Sequence, residues 1–187
     1  MNCSRSGATP RDMMHPLFPH VDFPPPPGVS LSADWTMDEH GRLCIDYLVD
    51  DPACRIRWPD RGSGRTDGLW RHSCLEAFIA SAATPAYLEF NLTRSGAWAA
   101  YAFDAYRAGM RDFTLDQAPQ IVSDATGVST VTLDLAAIDV QIGPAPWRLA
   151  ITAVIEARDG STSYWSLAHP QGKPDFHHAD CFAAQLG

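Results

Sequence analysis

"YLEFNLTRSGAWAAYAF", residues 87–103, is the stretch that decides the fold. In "YLEFNLT" (87–93), Leu88, Phe90 and Leu92 alternate with Tyr87, Glu89 and Asn91. A period of two suits a strand with one inward face and does not suit a helix. "RSGA" (94–97) follows as a short glycine-bearing link, and "WAAYAF" (98–103) is again an apolar run of strand length. Two such runs with so short a connection read as an antiparallel hairpin.

The same pattern extends in both directions. "LCIDYLV" (43–49) puts Leu43, Ile45, Tyr47 and Val49 on one face, and "STVTLDL" (129–135) opposes Val131, Leu133 and Leu135 to Thr130, Thr132 and Asp134. "SCLEAFIA" (73–80), "RLAITAVIE" (148–156) and "SYWSLAH" (163–169) complete the set, with "DEHG" (38–41) and "RDGS" (158–161) as further turns. The best helical candidate, "LDLAAI" (133–138), is short. Strands at spacings of about ten residues with hairpin links predict an all-β protein, an antiparallel β-sandwich.

A chain of 187 residues, 45% hydrophobic and 19% charged, has a folding composition and room for one domain with a sizeable core. We expect residues 1–14 to be a flexible tail and 15–187 a single domain. Its lead-in, 15–30, holds "PLFPHVDFPPPPG" (16–28). Those prolines fix φ and push their predecessors out of the helical region, so an extended, polyproline-like segment lying over the domain is expected. With 14 basic against 22 acidic side chains the net charge is −8, which disfavours nucleic acid and anionic membranes as partners. No apolar run reaches the roughly 18 residues that a spanning helix needs. "MNCSRSGATPRDMMHPLFPH" (1–20) lacks the apolar region of a secretory signal, so a cytoplasmic location is expected. Five cysteines without a CxxC pair predict neither a disulfide framework nor a zinc site, and Cys44 and Cys74 read as small buried strand residues.

Three segments resemble a known group: "GRTDGLWRHSCLEAFIA" (64–80), "YLEFNLTRSGAWAAYAFDAYRAGM" (87–110) and "WRLAITAVIEARDGSTSYWSLAHPQGKPDFHHADCF" (147–182). Trp70 and Glu76 lie six residues apart, followed by "EFN" and "SGAW" in the expected order. Together they look like the bacterial DOMON-like domain proteins, related in fold to DOMON haem- or sugar-binding domains and to family-nine carbohydrate-binding modules. The resemblance covers residues 15–187. It implies a jelly-roll-like sandwich with a ligand pocket on one sheet or at one end, holding a carbohydrate or a haem b. Fold likeness only locates these options, and the site has to choose between them.

For a carbohydrate, Trp70 is the first stacking candidate, because it follows "GSGRTDG" (62–68) and an indole face complements the apolar face of a sugar ring. Trp98 and Trp165 are further candidates, although an indole on an alternating strand also reads as core. Glu76 and Glu89 lie in consecutive strands. If those strands pair, both carboxylates reach one surface with Asn91 and Arg107, a set of donors and acceptors suited to sugar hydroxyls. The competing reading is a buried Glu76 satisfied by Arg71 or Arg107. Paired carboxyls also suggest glycoside hydrolysis.

For haem b, the resemblance implies an axial pair of Met110 with His169 or Lys173. "HPQGKPDFHH" (169–178) is expected to anchor the C-terminal region through Phe176 and to contact ligand through Lys173 and His177. His169, His177, His178 and Asp175 are weaker as a metal set, since adjacent strand histidines point to opposite faces. No GxSxG, HExxH, GxxxxGK[ST] or GxGxxG motif is present, which leaves hydrolase, zincin and nucleotide-binding readings without support. The sequence therefore predicts a non-catalytic small-molecule binder for carbohydrate or glycan, with haem b for electron transfer or sensing, or an enzyme on sugar-like substrates, as alternatives.

Overall fold

The computed structural model describes residues 14–59, 62–135 and 138–186. Strands β1 (His15–Pro19), β2 (Ser30–Met37), β3 (Arg42–Asp50), β4 (Gly64–Arg65) and β5 (Cys74–Ser81) are followed by β6 (Tyr87–Leu92), β7 (Ala97–Phe103) and β8 (Arg111–Asp112). Then come β9 (Gln120–Ser123), β10 (Val128–Asp134), the helix α1 (Asp139–Ile142), β11 (Trp147–Glu156), β12 (Thr162–Ser166) and β13 (Ala184–Leu186). The ladders run β4-β7-β6-β5-β11-β12-β1-β2-β3-β10-β9, with β13 on β11 and β8 on β7. Every ladder is antiparallel except β4 with β7. The protein is all-β and sandwich-like, as its alternation requires.

β1 joins the two layers. His15, Pro16 and Leu17 pair with β2, whereas Phe18 and Pro19 pair with β12. Each half of β1 bonds to one neighbour only, and this is how a strand with two prolines is tolerated: a residue paired on one side can leave its ring nitrogen, which has no N–H to donate, on the unpaired side. The expected polyproline lead-in over residues 15–30 is thus corrected, since its first five residues are a strand built into both sheets. Residues 1–13 of the expected tail lie outside the described residues.

Between the layers, Leu43, Ile45 and Tyr47 of β3 and Val131 and Leu133 of β10 meet Leu75 and Ile79 of β5, Leu88 and Phe90 of β6 and Ile151 of β11 in one buried cluster. Tyr47, fully buried, donates its hydroxyl to the Glu76 carbonyl at 2.7 Å and so pins one layer to the other. Tyr47→Phe keeps the ring and strips the carbonyl of that donor. A loss of about 1–2 kcal/mol in urea unfolding is expected; no change would mean that the bond contributes nothing.

Three local expectations are corrected. Residues 133 and 134 end β10 and the helix comes later, at Asp139–Ile142, while residues 136 and 137 of the candidate lie outside the described residues. The strand expected over 163–169 stops at Ser166, which leaves His169 in the following loop. Cys44 is disulfide-bonded, against the expectation of a free thiol, whereas Cys54, Cys74 and Cys181 are free. No helix among the described residues is long and apolar enough to cross a membrane.

Candidate functional site

All residues of β5 and β6 are buried, on both faces of their sheet. The inner face packs on the opposite layer. The outer face, with Cys74, Phe78, Tyr87, Tyr101, Phe103 and Val154, is covered by Phe176, Cys181 and Phe182 from the C-terminal segment. That cover is incomplete. A cavity of about 340 Å³ remains, lined by Trp70, Glu76, Phe78, Glu89, Phe103, Arg107, Met110, Val154, Tyr164, Pro174, Phe176 and His177. Its size suits a small ligand, and five of its twelve lining residues are Trp, Phe or Tyr.

Register brings the polar floor together. Glu76 stands opposite Asn91 and Phe78 opposite Glu89, so the two carboxyls are diagonal neighbours on one face. Asn91 donates its amide to Glu89 Oε1 at 2.6 Å, and Thr152 donates its hydroxyl to Glu76 Oε2 at 3.1 Å. Among the described residues no arginine pairs with Glu76, so the Arg71 and Arg107 partners considered for it are not used. Burial first, and the charge of Glu89 second, push Glu76 well above the carboxylate range against the Thr152 bond. Burial raises Glu89 to about 7, opposed by Asn91 and by Arg107. At neutral pH the floor therefore offers a neutral acid that can donate beside a carboxyl close to its own titration point.

The rim is held by Asp175. Its carboxylate accepts the Tyr106 hydroxyl, Arg107 Nε at 3.2 Å and Nη2 at 2.7 Å, and the His177 backbone N–H at 3.1 Å. Burial raises its pKa, but the bonds from Tyr106 and Arg107 outweigh this and hold it below the ordinary value. Arg107 has φ of 53°, a left-handed conformation that costs a non-glycine residue about 1–2 kcal/mol. Its backbone N–H reaches the Tyr87 hydroxyl at 3.2 Å, and that hydroxyl lies 2.8 Å from His177 Nδ1. The arrangement satisfies every group when Tyr87 donates to Nδ1, which leaves the N–H of His177 on Nε2, 4.0 Å from Glu89 Oε2. Burial and the charge of Arg107, opposed by Asp175, lower His177 to about 4, so its ring is neutral.

Trp70 sits on a short 3-10 turn, Leu69–Arg71, opened by Gly68 at φ of 74°. A left-handed residue there aims the turn at the cavity mouth. The indole packs edge-on to Tyr101 with centroids 5.8 Å apart and remains 36% exposed, which leaves a face for a ligand.

Of the residues singled out from sequence, Trp70, Glu76, Glu89, Arg107 and His177 share this cavity. Asn91 lies beneath it, fully buried, as a support for Glu89. Lys173 is exposed and lines no part of it. Trp98 and Trp165 belong to the opposite, inner face. His169 bonds through Nε2 to the Phe18 carbonyl at 2.8 Å, so it ties the C-terminal loop to β1. A haem needs axial ligands flanking one space. Met110 lines the cavity but His169 and Lys173 do not, so these candidates do not form the pair. Among the described residues no group of three or more His, Cys, Asp or Glu is arranged to hold a metal ion.

The sequence reading missed Phe78, Phe103, Val154 and Tyr164. The alternation that set Glu76 and Glu89 on one face also carried Phe78 and Tyr87 there. What it lacked was any sign that this face holds a cavity.

No family model and no curated protein matches the chain. Among solved structures it is similar to a protein from Bacteroides uniformis named as a candidate carbohydrate-binding protein, with 14% identity, a TM-score of 0.63, and coverage of 92% of this chain and 84% of that one. At that identity the likeness shows the fold, an all-β sandwich of a kind found in that protein, and does not single out the DOMON-like group.

Proposed function

We propose that the protein is a non-catalytic binding domain whose outer-face cavity takes a carbohydrate or glycan fragment. One observation carries the reading: two buried carboxyls, both raised by burial, Glu89 to about 7, form the floor of a cavity of about 340 Å³ whose wall includes Trp70, Phe78, Phe103, Tyr164 and Phe176. A sugar presents apolar C–H faces and hydroxyls that both donate and accept. Trp70 supplies the stacking face, Glu76 a donor, Glu89 an acceptor, and Arg107 and His177 further N–H groups at the rim. The Bacteroides protein with this fold is named for carbohydrate binding, which supports the same reading.

Trp70→Ala removes the exposed indole and little of the core. Binding of oligosaccharides, followed by quenching of tryptophan fluorescence, is expected to weaken by at least about tenfold. Absence of any response across a glycan panel in the native protein would sink the reading. The carboxyl pair also supports a second reading, hydrolysis of a glycoside, because two carboxyls facing one cavity are what that chemistry uses. Release of reducing sugar that is lost in Glu76→Gln would establish it.

A further inference from the structure

A second cavity of about 620 Å³ opens on the same outer face, on the far side of His177, which lines both. Its character differs. Arg148 is the one arginine or lysine that lines it, and no carboxylate does, in a protein of net charge −8. Arg148 projects from β11 beside Ala80 of β5. Its guanidinium lies over the Phe182 ring, 5.9 Å from the centroid, and its Nε is buried with no hydrogen-bond partner. Buried guanidinium donors are almost always satisfied, so one left open in a cavity signals an absent acceptor.

The other polar groups around it are already committed. Ser81 donates to the Pro144 carbonyl at 2.6 Å and Thr84 to the Ile142 carbonyl at 2.5 Å. Tyr87 is engaged with His177, and Tyr106 with Asp175. His178 Nδ1 accepts the Asp180 backbone N–H at 3.2 Å, which leaves Nε2 to donate. The nearby carboxylate of Asp175 is occupied by Arg107 and Tyr106. What remains free in this cavity is donors: Arg148 and His178.

We propose that this cavity is a subsite for an anionic group, a carboxylate or a phosphate, held by Arg148 with His178. The inference does not depend on the carbohydrate reading. Where that reading holds, the shared wall at His177 makes an acidic saccharide the ligand that uses both cavities.

The test is ¹⁵N NMR of the Arg148 Nε–H in the full chain, titrated separately with inorganic phosphate, acetate, glucuronate and glucose. The phosphate arm and the two carboxylate arms distinguish the sources of charge, and glucose is the neutral control. A saturable shift with at least one anion is expected, weakening with added salt. Arg148→Gln should weaken that anion's binding about ten- to a hundredfold, and Arg55→Gln, at an exposed cation elsewhere, should leave it unchanged. Anion binding that survives Arg148→Gln, or that never moves the Arg148 resonance, overturns the proposal. If Arg148→Gln fails to fold, the native titration decides alone. Glucose binding without an anion response would defeat this subsite and leave the carbohydrate reading standing; a phosphate or acetate response together with no response across the glycan panel would do the reverse.

Discussion

Phe176→Ala is expected to lower stability by about 3 kcal/mol, the lower end for removing a buried phenyl ring, and to abolish ligand binding in the first cavity. Phe176 is 8% exposed and packs against Tyr164 and His169 with centroids 6.1 and 6.3 Å away. It is an apolar anchor of the segment that carries Pro174, Asp175 and His177 over the sheet. The lower end of the range applies because a surface loop can settle into part of the space. Asp175 would still grip Arg107, but a charge-assisted bond between partly exposed groups cannot replace that burial. Binding should fail because the ring is itself a wall of the cavity and because His177 loses its fixed position. Urea unfolding measures the first effect. Hydrogen exchange over residues 167–182, faster while the sandwich strands stay protected, separates loop release from global unfolding. A variant that binds normally and loses less than about 1 kcal/mol would show that Phe176 is no anchor.

Much of this anchor and of the fold around it was legible in the chain. Seven of the strands appear where an apolar alternation or a continuous apolar run of strand length lay between turn signals, as in β3, β6 and β11. In β10 buried and half-buried residues alternate, so only one register buries its apolar face. β1 was not legible, because Pro16 and Pro19 normally argue against a strand, and only its switch between neighbours makes them acceptable. β2 escaped because Leu31, Ala33 and Trp35 alternate with residues that include Asp34, itself buried. β13 is three residues long and leans on β11.

The site was readable to the extent that it depends on pairing of neighbouring strands. Glu76 and Glu89 had to share a face once the "SCLEAFIA" and "YLEFNLT" strands paired, and the observed register does pair them. Whether a side chain on a long loop faces the cavity is decided by contacts distant in sequence, such as Arg107 with Asp175, 68 residues apart. Hence Lys173 and His177, four positions apart on one loop, part company: one is exposed and the other closes the cavity. Arg148 carried no signal at all, because an arginine at the start of a strand looks like ordinary surface until the cavity beside it is seen.

Glu89→Gln should change how stability responds to pH, and the sign follows from two neighbours. Glu89 has its pKa raised from 4.5 to about 7 by burial, opposed by Asn91 and Arg107. Below 4.5 it is protonated folded and unfolded alike and costs nothing. As pH rises through the folded value the native state loses stability, up to about 3 kcal/mol. His177 acts in the opposite sense, since burial first and then Arg107 lower it from 6.5 to about 4. Its contribution is complete above 6.5 and is lost as pH falls towards 4, again by about 3 kcal/mol. Between those limits the two slopes oppose each other and largely cancel, which leaves Glu76, raised by burial in both proteins, to lower stability as pH rises. Glutamine keeps the shape and removes one slope. Relative to the wild type the variant should therefore gain stability from about pH 4.5 to about pH 7, so that near pH 8 the difference in its favour is about 3 kcal/mol larger than near pH 4. Asp175 and the carboxylates remote from Glu89 are common to both proteins and cancel in that difference, while Glu76, raised in part by the Glu89 charge, adds to it in the same sense. Urea unfolding of the pair across the range measures it. A difference that stays constant with pH would mean that the Glu89 carboxyl is not held protonated by the fold, and the acid and acceptor assigned to the cavity floor would lose their basis.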